Sequence, residues 1–153
     1  MSSKREELTS AMKEALKNKD QLRLDTVRLI IAQLKMKDIE ARGLGKEAAD
    51  EAAILSMMQT MIKQRQESAK MYRDGNRPEL AEKEEAEIKQ IESFLPQQMS
   101  ATETEAAIKK IIADTGASSV KDMGKVMAEV KAKYAGQMDM AQASSVIKGL
   151  LAA

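Results

Sequence analysis

The 153-residue sequence contains no cysteine, no histidine and no tryptophan. Each absence removes a class of chemistry. Without cysteine there is no disulfide, no thiolate nucleophile and no zinc–thiolate site. Without histidine there is no Ser-His-Asp triad and no imidazole base poised near neutral pH. Catalysis would fall to a carboxylate pair, a desolvated lysine or a carboxylate-bound metal, and no stretch marks an enclosed site for any of them. No catalytic residue, metal site or cofactor is therefore expected. Tyr72, Phe94 and Tyr134 are the whole aromatic set, too few for the base-stacking platforms on which many single-strand readers rely. No apolar run approaches the roughly 20 residues of a membrane span, and the opening MSSKREELTS lacks the apolar stretch of a signal peptide. These absences lead to the expectation of a soluble cytoplasmic protein with no membrane partner. Charge is nearly balanced, with 25 basic and 24 acidic residues, so no strong attraction to DNA or acidic surfaces follows from net charge.

What is present is helical periodicity along the whole chain, with no alternating strand pattern and no internal repeat. Leu8, Ala11, Met12, Ala15 and Leu16 recur at helical spacing behind Ser3 and Glu6, the two ends of a capping-box pattern. A second helix is predicted from Asp20, with an apolar stripe of Leu24, Val27, Ile30, Ile31 and Leu34, ending near Gly43 and Gly45. A third runs from Glu47 to Asp74 with Ile54, Met58, Met61, Ile62 and Ala69 near one face. Gly75 caps it, and Pro78 suits the first position of a fourth helix. That helix carries Leu80, Ala81, Ile88 and Ile91, and its pairs Glu79/Lys83, Lys83/Glu87 and Glu85/Lys89 read as a solvated outer face.

The segment FLPQQMS breaks the pattern, because Pro96 disfavours helix at Leu95. A boundary near Gln97 divides the chain into an N-terminal helical domain, residues 1–97, and a C-terminal tail domain, residues 98–153. The tail is predicted to hold three short helices: Ala101 to Thr115, Ser119 to Tyr134, and Asp139 to Ala153. The expected fold class is all-α.

Several residues stand out as candidates. Gly124 lies within the apolar-periodic stretch KDMGKVM, where glycine costs about 1 kcal/mol relative to alanine. It either lets another helix of the tail approach closely or leaves a flat surface for an outside backbone, with Met123 and Met127 beside it. Lys121, Lys125, Lys131 and Lys133 share this helical stretch and Lys148 follows on the next. The tail from residue 99 holds seven lysines against six acidic residues, so a solvated face explains them as well as a nucleic-acid surface does. Twelve methionines suit either an adaptable core or a partner groove. Arg28 and Arg65 fall on or beside the apolar faces of the second and third helices, where a guanidinium needs carboxylate or carbonyl partners. A structural polar network with Asp25, Glu67 or Glu92 is one reading, and an anion site is the other.

Five segments in order, RLDTVRLI, MIKQRQES, GNRPELAEKE, FLPQQMS and KDMGKVM, resemble the YqeY family. These are stand-alone relatives of the C-terminal region of GatB, a subunit of the glutamine-dependent amidotransferase that acts on misacylated Glu-tRNA or Asp-tRNA. The resemblance implies a helical N-terminal domain and a small helical tail that contacts tRNA. It points to Gly124 and to Lys121, Lys125, Lys131 and Lys133 for that contact. One departure is visible: Gln137 stands where an arginine is common in the family. Three functions follow as expectations. The chain is a non-catalytic module that binds tRNA or another structured RNA, beside a tRNA-modifying enzyme. Alternatively it is a protein-interaction adaptor gripping a partner in a Met-rich groove of the tail. Alternatively it is an accessory part of a glutamine-dependent carbon–nitrogen ligase.

Overall fold

A computed structural model describes residues 3–152. Among these there are seven α-helices, one 3-10 turn and no strand. The chain divides into two compact units between Leu95 and Pro96, two residues before the boundary read from the sequence pattern. Pro96 and Gln98 account for the difference. The Gln98 amide donates to the carbonyls of Pro96 and Gly136, and the Met99 N–H donates to the Gln137 carbonyl at 2.8 Å. This segment is thereby stitched into the tail.

The N-terminal unit comprises α1 (Lys4–Lys17), α2 (Gln21–Gly43), α3 (Glu51–Asp74) and α4 (Pro78–Glu92). Each start has a local cause. Ser3, Asp20 and Asp50 accept the N–H groups of Glu6, Arg23 and Ala53, and Pro78 sits at the first position of α4. Such side chains satisfy donors that the first helical turn leaves without partners. Leu8, Val27, Ile30, Ile54, Met58, Ile91 and Phe94 form the centre of the core.

α3 begins four residues later than the periodicity predicts. The cause is Asp38, on the core side of α2, whose carboxylate accepts the Ala49 N–H at 2.9 Å and a two-pronged contact from the Arg5 guanidinium at 2.6 and 2.9 Å. Arg5 also donates to the Ala49 carbonyl at 2.9 Å. The loop before α3 is pinned by these bonds, so it cannot wind into helix.

The polar network expected around Arg28 and Arg65 is half present. Arg65 donates to Glu87 at 2.9 Å and to the Met61 carbonyl at 3.3 Å, with both charged side chains only 15% exposed. Glu87 was not among its expected partners, and the i,i+4 pattern on α4 assigned Glu87 to the outer face. Glu85 likewise turns toward α3, taking three hydrogen bonds from Arg73 at 2.7–3.0 Å. Arg28 is corrected: it is exposed and makes no polar contact among the described residues. The arginine that links α2 to α4 is instead Arg23, bound to Gln90 and Ser93 and stacked 4.3 Å from the Phe94 ring centre.

The tail unit comprises α5 (Ala101–Thr115), α6 (Met123–Tyr134) and α7 (Met140–Ala152) around Ile108, Ile111, Val126, Val130, Met138, Ala143 and Ile147. Ser100 and Glu103 form a reciprocal capping box at 3.1 Å in each direction, and the Ser100 N–H, followed by the Ser100 side chain, holds the Glu103 carboxyl below its ordinary range. Gly116 ends α5 in the left-handed region, φ 70°, where glycine alone has no steric penalty. The helix predicted from Ser119 is split. Val120–Asp122 form a 3-10 turn, and α6 starts only at Met123.

Candidate functional site

The split of that helix changes the meaning of Gly124. It lies in the first turn of α6, exposed, rather than in a helix interior. A Cβ built there would meet nothing within 4 Å. Close packing of tail helices therefore does not explain the glycine, and that expectation is corrected. Ala128 and Ala132 follow it at four-residue intervals, and both are exposed. Residues four apart share a helix face, so the outer side of α6 is a shallow strip of Gly124, Ala128 and Ala132.

Three of the candidate lysines border this strip. Lys121 precedes Gly124 by three residues, Lys125 precedes Ala128 by three, and Lys131 follows Ala128 by three; all are exposed. Lys125 is fixed in place, its Nζ donating to the Thr115 carbonyl at 2.9 Å. That carbonyl lies at the C-terminal end of α5, where a cation is favoured by the helix dipole. Asp122 anchors the entry to α6 by accepting the N–H of Ser118 at 2.9 Å and of Ser119 at 3.3 Å. These bonds, with a smaller contribution from Lys125, hold its carboxyl below the ordinary range. Lys133 lies away from the strip and sits 3.7 Å from Glu129. Lys148 is exposed on α7, and among the described residues no contact joins it to the α6 lysines.

The tail methionines resolve in one direction. Met138 is fully buried, and Met123, Met127 and Met140 pack against the tail core. The Met-rich groove expected of an adaptor is therefore not an open surface of the tail. These side chains are what fills the small core, the ordinary use of a flexible thioether where space is irregular. The alanines of the α6 strip went unnoticed in the sequence because exposed alanine carries no signal by itself. Their meaning comes from their register with Gly124.

No group of three or more acidic side chains among the described residues is gathered to hold a metal ion, and no helix of these residues is long and apolar enough to cross a membrane. A shallow hollow of about 380 Å³ lies between α3 and α4, walled by Lys70, Arg73, Asp74 and Glu85. Its best anion-binding group, the Arg73 guanidinium, is already held by Glu85.

The family model described as "Yqey-like protein" matches residues 5–151. Among curated proteins, the chain is 35% identical over 102 residues to "Altered inheritance of mitochondria protein 41, mitochondrial" of Lachancea thermotolerans, covering 67% of this chain and 53% of that protein. It is 34% identical over 88 residues to the protein of that name from Vanderwaltozyma polyspora, covering 58% and 46%. A third, from Pyrenophora tritici-repentis, is 26% identical over 131 residues, covering 82% and 70%. The chain spans about half the length of the first two relatives. Their names overturn the expectation of a cytoplasmic location. A composition that lacks membrane spans suits any aqueous compartment, so it could not single out the cytoplasm.

Proposed function

The chain belongs to the YqeY family, and from that premise we propose that its tail is a non-catalytic RNA-binding module for tRNA or a similarly structured RNA. The observation that carries the reading is the strip of Gly124, Ala128 and Ala132 bordered by Lys121, Lys125 and Lys131. Small side chains let a sugar–phosphate backbone come close, and flanking lysines supply the phosphate contacts that dominate nucleic-acid affinity. With three aromatics in the whole chain, recognition rests on shape and charge rather than base stacking. The module would present RNA to a modifying enzyme, such as a glutamine-dependent amidotransferase, that supplies the chemistry.

Titration of a labelled tRNA with wild-type protein and with the Lys121→Glu/Lys131→Glu double variant tests this. Lys125 is left intact because it caps α5. Weaker binding by the variant, with unchanged helicity, is expected. Equal binding by both proteins contradicts the assignment. Lys148→Glu reports whether the surface extends onto α7.

A further inference from the structure

α2 is apolar on two opposite faces. One face, with Leu24, Val27, Ile30 and Leu34, is buried in the N-terminal core. The other holds Leu22, Leu29, Met36 and Ile39, which are 39%, 44%, 58% and 64% exposed, together with exposed Ala32. Scattered exposed apolar residues are ordinary, but a row of them along one helix face, interrupted only at Asp25, is not. Leu22, Leu29 and Met36 are spaced by seven, as are Ala32 and Ile39, which follow Leu29 and Met36 by three. That is the a and d pattern of a helix seam. At 1.5 Å per residue the row runs for about 26 Å.

We propose that this face is covered by the same face of a second copy of the chain, the two α2 helices running antiparallel about a two-fold axis between Ile30 and Ile31. The row is complementary to itself about that point. Leu22 falls opposite Ile39 of the second copy, and Leu29 opposite Ala32. The alternative, parallel alignment in register, sets Asp25 against its own copy in the seam, a direct repulsion. Antiparallel alignment instead sets Asp25 opposite Met36 and beside Lys35 of the second copy. Lys35 is exposed and makes no polar contact among the described residues. Asp25 is exposed too, its Oδ1 accepting from the Gln21 side chain at 2.7 Å. In the pair, Asp25 stands between Lys35 of the second copy and Arg28 of its own helix, a negative charge flanked by two positive ones. The opposed helix dipoles add to the preference. An isologous two-fold contact is the commonest form of self-association, and one helix pair lies at the small end of specific interfaces. The dimer is therefore reversible and depends on protein concentration.

Light scattering and sedimentation of the full chain over a wide concentration range test the proposal. A monomer–dimer equilibrium is expected, with Leu29→Glu raising the dissociation constant by about tenfold or more at unchanged helicity. Asp25→Lys and Lys35→Asp should each weaken the dimer and, combined, restore it. The chain has no cysteine, so introduced thiols report alignment cleanly. A mixture of Leu22→Cys and Ile39→Cys proteins should form a disulfide between copies, and Leu22→Cys alone should not. A chain that stays monomeric at all concentrations overturns the proposal, even if the face captures another protein or a lipid vesicle. So does a dimer that is indifferent to Leu29→Glu, or self-cross-linking of Leu22→Cys.

Discussion

Asp38 joins α1, α2 and the loop before α3 through its bonds with Arg5 and the Ala49 N–H. Its carboxyl is pulled down to about 2, first by the hydrogen bond from Arg5 and then by the Ala49 N–H, against the opposing effect of burial. A carboxylate depressed on folding stabilises the folded state above its unfolded pKa of about 3.9, and that stabilisation is lost as pH falls through the folded value. Chemical denaturation at a series of pH values should show wild-type stability falling between about pH 4 and pH 2, with Asp38→Asn flattening that limb. Loss of the charged hydrogen bonds should cost Asp38→Ala about 2 kcal/mol near neutral pH, a modest figure because the Arg5 side chain is 38% exposed and water screens its share. Asp38 was legible in retrospect. It falls four residues after Leu34 on the buried stripe of α2, where a lone carboxylate demands a partner. Arg65 was legible directly, but Glu87 was not, because i,i+4 spacing on α4 cannot tell which of two flanks turns toward α3.

At the scale of elements, Gly116 and Gly124, two of the tail's four glycines, act in opposite ways. Gly116 occupies the left-handed region with open space where a Cβ would go. Gly116→Ala should therefore lower stability by about 1 kcal/mol through backbone strain alone. Gly124 is helical and equally uncrowded, so Gly124→Ala should raise tail stability by up to about 1 kcal/mol. Thermal melts followed by circular dichroism check both signs. If the strip on α6 receives RNA, the more stable Gly124→Ala protein should also bind tRNA more weakly, so that stability and binding move apart. Helix positions and the break at Pro96 were readable from periodicity, capping pairs and proline. The start of α3 and the split before α6 were not. The first is set by Asp38, whose carboxylate captures the Ala49 N–H and so competes with helix; at the second, Asp122 accepts the Ser119 N–H and caps the 3-10 turn that precedes α6.

For the whole molecule, the sequence supplied the family and the all-helical class, but a candidate surface emerged only when register and exposure were combined. The core methionines show why. Met123, Met127, Met138 and Met140 could line a core or a groove with equal ease in a sequence, and only their burial against Val126, Val130 and Ile147 separates the two. The lysines were ambiguous for a related reason. Net charge is near zero, so their arrangement on α6 matters and their number does not. RNA binding by counterion release has a distinctive dependence on salt, with log K falling linearly against log salt concentration by about 0.7–0.9 for each phosphate neutralised. The most direct measurement is that slope for tRNA, compared between the wild-type chain and Lys121→Glu/Lys131→Glu. The expected result is a clear negative slope for the wild type that becomes shallower by about 2 in the double variant. Wild-type binding that ignores salt, or a slope unchanged by the double substitution, would contradict an RNA surface on α6.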